Sequence, residues 1–262
     1  MAADGTVGKA LDVLDRVAAR GRPVRFSELL EEGAYPKATL YRLLQVLVNQ
    51  RLLSHDAQSG CYEPGMRLVR LAHAAWTQAS LAPAARAHVD ALAAETGAVT
   101  HLAQLEGGQV LYVDKVSPEP GMEMFSAAGR VGPAWCTGVG KAMLAFLPAA
   151  ERERTIRLQS FHRFTPATLD EAGLRDALDR IRAEGLAWDR EEHEPGIVCV
   201  AAPILSRGGR VMGAVSLTAR GGSSALAGLA ARTGALTRAA RAIAEDAQAW
   251  RFPERRVAEL DG

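Results

Sequence analysis

Apolar positions recur at helical spacing through the first fifty residues. Val7, Leu11, Leu14 and Val17–Ala18 predict a helix that Gly21 and Pro23 stop. Ser27 is placed to cap a short second helix, 28–32, which Gly33 ends. Pro36 opens a third helix, since proline is tolerated in a first turn. Leu40, Leu43, Leu44, Leu47 and Val48 follow the i, i+3, i+4, i+7, i+8 pattern of one buried face. Residues 51–55 and 61–63 then predict two short strands around a polar turn ending in Gly60. Helix, helix, tight turn, helix and β-ribbon is the layout of a winged helix-turn-helix.

From 66 to 96 the pattern predicts two helices broken near Pro83, the first a semi-rigid linker of 66–81 with no Gly/Ser-rich stretch. Beyond it the pattern turns to α+β. Strands are predicted at 99–105 and 109–116 around Gly107–Gly108, and at 198–205 and 211–218 around Gly208–Gly209. Helices are predicted at 138–146, 169–184 and 224–250. The expected organisation is a head of 1–65, the linker 66–81, and an 82–262 domain of antiparallel sheet with helices packed on it.

The polar side of the third helix changes the picture. Ala38, Tyr41, Arg42, Gln45 and Asn49 lie opposite the leucines, with Lys37 and Thr39 at the start. From Lys37 to Arg51 there are three cations and no acid. A merely solvated face usually mixes in Asp or Glu. Here Arg42 and Gln45 suit base edges in a major groove, and Lys37, Thr39 and Tyr41 suit phosphates.

Composition narrows the class. The chain has 262 residues, 48% hydrophobic and 23% charged, which excludes a disordered chain, a collagen and a disulfide scaffold. A net charge of +1 does not announce nucleic-acid binding, but a small basic face can hide in a neutral whole. No apolar run approaches the ~20 residues of a membrane span. The first residues lack the pattern of a signal peptide. Cys61, Cys136 and Cys199 are scattered and form no C-x-x-C, so a cytoplasmic chain with reduced thiols and no cofactor is expected.

Catalytic motifs are absent. Cys136-Thr-Gly-Val-Gly-Lys141 resembles a phosphate loop but has Trp135 for the first glycine and Ala142 for the magnesium-binding hydroxyl. Asp189, His193, Cys199 and Cys136 form a conceivable metal set with no familiar spacing. Ser216 and Thr218 alternate on one strand and so share a face. With Gly138 and Asp189 they suit the polar end of an apolar pocket for a small carboxylate, or else pack as plain strand faces. The alternative function is a small-acid-processing or metal-dependent enzyme with an accessory helical head.

Several stretches in order resemble the IclR-type transcriptional regulators. They are Pro36-Lys-Ala-Thr-Leu-Tyr-Arg-Leu-Leu44, Thr96-Gly97 with His101-Leu102, Val110-Leu-Tyr-Val-Asp-Lys-Val116, and Gly138-Val-Gly-Lys-Ala-Met-Leu-Ala-Phe-Leu-Pro148. Glu191-Glu192 and Gly196-Ile-Val-Cys-Val-Ala-Ala-Pro203 complete the set. The resemblance implies a winged helix that binds a pseudo-palindromic operator and a GAF-like domain that binds a small organic acid. It implies a homodimer or dimer of dimers, acting as repressor or activator. It assigns DNA contact to Lys37, Ala38, Thr39, Tyr41, Arg42, Gln45 and Arg51. The polar end of the effector pocket falls on Gly138, Val139, Asp189, Cys199, Ser216 and Thr218, and its apolar wall on Met124, Gly132 and Ile197. Trp135 departs from the family pattern and is expected to reshape the pocket.

Overall fold

The structure is a computed structural model that describes residues 5–79, 81–118 and 124–249. It divides into two compact units, 1–79 and 80–262.

The first unit runs α1 (Thr6–Ala19), β1 (Val24–Arg25), α2 (Phe26–Glu31), α3 (Lys37–Asn49), β2 (Leu53–Asp56), β3 (Cys61–Pro64) and α4 (Met66–Ala79). The strands form an antiparallel sheet in the order β1-β3-β2, with Val24 opposite Tyr62 and Leu53 opposite Pro64. Leu40, Leu43, Leu44 and Leu47 of α3 are buried against Val13, Leu14 and Val17 of α1, with Leu53 and Tyr62 closing the core. The leucine stripe thus does what its spacing requires. Two details differ from expectation. Helix α2 begins at Phe26, because the Glu28 carboxylate reaches back to accept the Arg25 N–H at 2.9 Å, so Ser27 lies inside the first turn rather than at the cap. Strand β1 is only two residues long and left no periodic signal.

The second unit contains α5 (Ala82–Thr96), β4 (Val99–Glu106), β5 (Gln109–Val116), β6 (Val131–Gly132), α6 (Gly138–Ala145), α7 (Ala149–Arg157) and α8 (Glu171–Glu184). It continues with β7 (Ala187–Arg190), β8 (Ile197–Leu205), β9 (Val211–Arg220), α9 (Gly222–Ala230) and α10 (Thr233–Ala249). Its six strands form one antiparallel sheet in the order β6-β5-β4-β9-β8-β7. Along β8, Cys199 and Ala201 face α6, while Val198, Val200 and Ala202 point the other way and are equally buried. Both faces of the sheet are therefore covered, which explains the unbroken apolar run of this strand.

The two helices expected on either side of a break near Pro83 are α4 and α5. Pro83 itself sits in the first turn of α5, where the missing N–H costs nothing. The expected 224–250 helix is two helices, α9 and α10, and its last residue, Trp250, lies outside the described residues, as does position 80 of the expected linker. Helix α7 was not foreseen because its sequence, AAERERTIR, buries only Thr155 and Ile156.

Helix α6 comes unusually close to the preceding chain. A Cβ on Gly140 would lie 2.3 Å from the Ala134 carbonyl oxygen and 2.5 Å from Ala134 Cα. Those atoms are backbone and cannot swing away. Gly140→Ala is expected to cost about 3 kcal/mol, in the range of overpacking. Urea unfolding followed by tryptophan fluorescence checks it, and an unchanged midpoint would contradict this packing.

Candidate functional site

Two regions gather chemistry, one in each unit. In the first, α3 presents Lys37, Ala38, Tyr41 and Arg42 exposed to solvent, with Thr39 and Gln45 half-buried beside them. Arg51 is exposed just beyond the helix end, in the left-handed region at φ 57°. The neighbouring acids are engaged elsewhere. Arg16 binds Asp12 and Glu32 at 2.8 Å each, Arg20 also binds Glu32, and Arg22 binds Glu28. Among the described residues, Lys37, Arg42 and Arg51 have no ion pair. All seven residues expected at a nucleic-acid interface therefore lie on or at the end of one helix, with their cations unneutralised.

In the second unit a cavity of about 40 Å³, the space of a water or two, is enclosed by β4, β5, β7, β8, β9 and the start of α6. Met124, Gly138, Val139, Asp189, Ile197, Cys199, Ser216 and Thr218 all line it. Gly132 is not among its lining residues. It sits behind the wall, where a Cβ would lie 3.2 Å from the rings of both Tyr112 and Phe125, and it lines a neighbouring cavity together with Trp135. Trp135 is likewise absent from the lining of the first cavity. Its ring packs in the core, and its buried indole N–H has no partner among the described residues.

The structure adds residues that the sequence reading did not assign to the site: His101, Tyr112, Phe125, Ser126, Thr137, His193 and Glu194. His101 is the centre of the polar group. Its Nε2 is 2.7 Å from Ser126 Oγ, and its Nδ1 is 3.3 Å from Thr218 Oγ1 and 3.5 Å from Ser216 Oγ. Ser216 stands directly opposite His101 across the β4–β9 pair. That register is not readable from local sequence, although a histidine inside an apolar strand was a hint. Burial lowers the His101 pKa to about 3, so the ring is neutral and each nitrogen is available for hydroxyl partners.

Asp189 reaches the same cavity from β7. Its Oδ1 accepts the Glu192 N–H at 2.8 Å. Burial raises its pKa to about 7, against the opposing pull of Lys141. Beneath it, Lys141 and Glu192 form an ion pair whose side chains are 2% and 6% exposed. Burial pushes the Cys199 thiol up to about 12 and raises Cys136 also, so neither is a poised thiolate. Gly138 is required here by close approach, since a Cβ would fall 2.8 Å from Cys199 Sγ. Although Asp189, His193 and Cys199 share the cavity, no cluster of three or more His, Cys, Asp or Glu fit to hold a metal occurs among the described residues. Larger concavities of about 560 and 410 Å³ exist on this unit, but they are open grooves without a buried titratable network.

Comparison with known proteins agrees with this division. Residues 6–57 match the IclR helix-turn-helix domain, and residues 73–245 match the bacterial transcriptional regulator IclR C-terminal domain. The HTH-type transcriptional regulator XynR of Escherichia coli (strain K12) is 31% identical over 214 residues, covering 81% of this chain and 85% of its own. BhcR of Paracoccus denitrificans (strain Pd 1222), also an HTH-type transcriptional regulator, is 30% identical over 236 residues, covering 90% and 84%. The crystal structure of the Thermotoga maritima IclR superposes with TM-score 0.73 at 27% identity, over 92% of this chain and 97% of that one. An IclR homolog from Microbacterium hydrocarbonoxydans, complexed with 4-hydroxybenzoate, shares the fold at TM-score 0.80 and 23% identity, over 94% and 100%.

The Asp189 carboxyl ties stability to pH. In the unfolded chain it ionises near pH 4, whereas in the folded chain it keeps its proton to about 7. Its contribution is thus fully present below pH 4 and is lost as pH rises to 7. Asp189→Asn, which keeps the Oδ1 acceptor, is expected to gain stability relative to the natural chain across that window, by up to about 4 kcal/mol. Urea unfolding at pH 4.5, 6 and 7.5 measures the gain, and a pH-independent difference would contradict it.

Proposed function

The chain belongs to the IclR family of bacterial transcriptional regulators, and from that premise we propose that α3 docks in the major groove of an operator while the second unit senses a small organic acid. The matched domains are regulator domains, so the chain is a DNA-binding regulator and not an enzyme. The observation that carries the docking proposal is the α3 face with its C-terminal end: three unneutralised cations (Lys37, Arg42 and Arg51), three hydroxyl- or amide-bearing side chains (Thr39, Tyr41 and Gln45) and no acid. Arg42 and Gln45 read base edges, while Lys37, Thr39, Arg51 and the hydroxyl end of Tyr41 hold phosphates and Ala38 allows close approach. The DNA-binding domain is 1–65, residues 66–81, which include α4, are its linker, and 82–262 is the effector domain. Among the described residues no helix is long and apolar enough to cross a membrane, and action on DNA is in keeping with a cytoplasmic chain.

A second copy of the chain completes the operator-binding form. The first unit leaves Val7 and Leu11 on α1, and Met66, Val69 and Leu71 on α4, exposed as apolar side chains that fit self-association. A twofold protein then reads a pseudo-palindromic site. Homodimer and dimer of dimers both satisfy this.

The effector chemistry follows from the lining. Among the described residues that line the cavity there is no lysine or arginine. The free N–H groups at the start of α6 suit a carboxylate. Asp189, Glu194, Ser216, Thr218 and His101 suit hydroxyl groups, and Tyr112, Met124 and Ile197 suit a hydrocarbon body. A hydroxylated carboxylic acid fits this set, in keeping with the 4-hydroxybenzoate held by the Microbacterium relative. Because the cavity is only about 40 Å³, such a ligand binds a wider form. Ligand and operator affinity are then coupled if the two forms differ in DNA affinity, at ~1–3 kcal/mol or about 5–150-fold.

The test uses the full chain and its own upstream DNA in gel shifts. Arg42→Ala should weaken binding by about 1–3 kcal/mol and relax sequence choice. Asp189→Ala with Ser216→Ala should keep operator binding and lose release by hydroxylated organic acids. Unchanged affinity in Arg42→Ala would remove α3 from the groove, and a retained response in the double variant would remove the acid from this cavity.

A further inference from the structure

The α3 face is not uniformly polar. Between its cations and the β2–β3 hairpin lies a concavity of about 700 Å³ whose wall is mostly hydrocarbon. Phe26 and Tyr41 meet edge to face at 6.3 Å, Ala38 lies one turn before Tyr41, and Tyr62 forms part of the lining. Tyr41 is 54% exposed, an uncommon position for so large a ring in a monomeric domain. Lys37 and Gln45 border the same concavity.

This feature rests on the reading that α3 enters a major groove, and within that reading it poses a problem. The groove edge of a duplex is almost wholly hydrogen-bonding. An apolar hollow pressed against it would desolvate base acceptors and return nothing, unless it met an apolar group. The one such group that the four ordinary bases carry there is the 5-methyl of thymine. Alanine, with its single methyl, and an aromatic ring are suited to contact it. We infer that Ala38 and Tyr41, with Phe26 behind them, form a thymine-selecting site that fixes one base pair in each operator half-site. Arg42 and Gln45 then read neighbouring positions by hydrogen bonds. The continuity of the hollow with the cation-bearing face, rather than its apolar nature alone, is what selects DNA as its occupant.

The experiment removes one methyl group at a time. Duplexes bound by the full-length chain are selected from a randomised library, and the best is resynthesised with each thymine in turn replaced by deoxyuridine. That replacement keeps pairing and the O4 acceptor and deletes only the 5-methyl. The expected result is one thymine per half-site at which binding weakens by roughly threefold to tenfold, as burial of a single methyl implies. Tyr41→Phe should retain that penalty, because the ring and not the hydroxyl makes the contact. Tyr41→Ser and Ala38→Ser should each reduce it toward onefold. A selected duplex with no deoxyuridine-sensitive thymine would overturn this inference while leaving α3 in the groove. A sensitivity that persists undiminished in both serine variants would also overturn it. If no duplex is selected at all, the docking of α3 falls and this inference falls with it.

Discussion

The ion pair between Lys141 and Glu192 holds the second unit's cavity in shape. Lys141 projects from the middle of α6, and Glu192 from the turn after β7, so the pair ties the helix to the loop that follows Asp189. The loop is fixed from the other side as well: Thr165 and Thr168 donate to the carbonyls of Glu191 and Glu192 at 2.6 Å. The Glu192 N–H then orients Asp189. Removing one partner of such a pair leaves an uncompensated charge in a low-dielectric interior, typically at 3–5 kcal/mol. The site is thus built outward from a pair that does not itself line it.

The two regions use opposite electrostatic strategies. On α3 the cations stay in water, unneutralised, where their field reaches a polyanion and weakens with salt. In the cavity, burial drives three groups toward their neutral forms: His101 loses its proton, Cys199 keeps its own, and Asp189 holds its proton to about 7. An enclosure rich in hydroxyls discriminates by hydrogen-bond geometry, because an unpaired buried polar group is costly.

Much of this was legible in the chain and some of it was not, for physical reasons. The leucine stripe of α3 and the glycine-turned hairpins β4–β5 and β8–β9 are local patterns, and local patterns survive in one dimension. The acid-free run from Lys37 to Arg51 survives likewise, because a helix maps sequence spacing directly onto a face. His101, Ser126 and Glu194 come together through strand register and a tertiary crossing of loops, which no spacing encodes. The positions of Gly132 behind the lining and of Trp135 in the core are hidden for the same reason: a short segment's neighbours fix what it packs against. Helix α7 escaped notice because a surface helix with two buried residues has almost no periodic signal.

Arg51 draws a consequence from backbone conformation. Its φ of 57° is the left-handed turn that most often follows a helix as glycine. An L-residue with a Cβ pays roughly 1–2 kcal/mol there. Glycine would relieve that strain and delete the guanidinium in the same step, while lysine would keep a positive charge and keep the strain. Backbone ease and a cation at the tip of α3 are therefore mutually exclusive at this position, and the chain has settled on the cation.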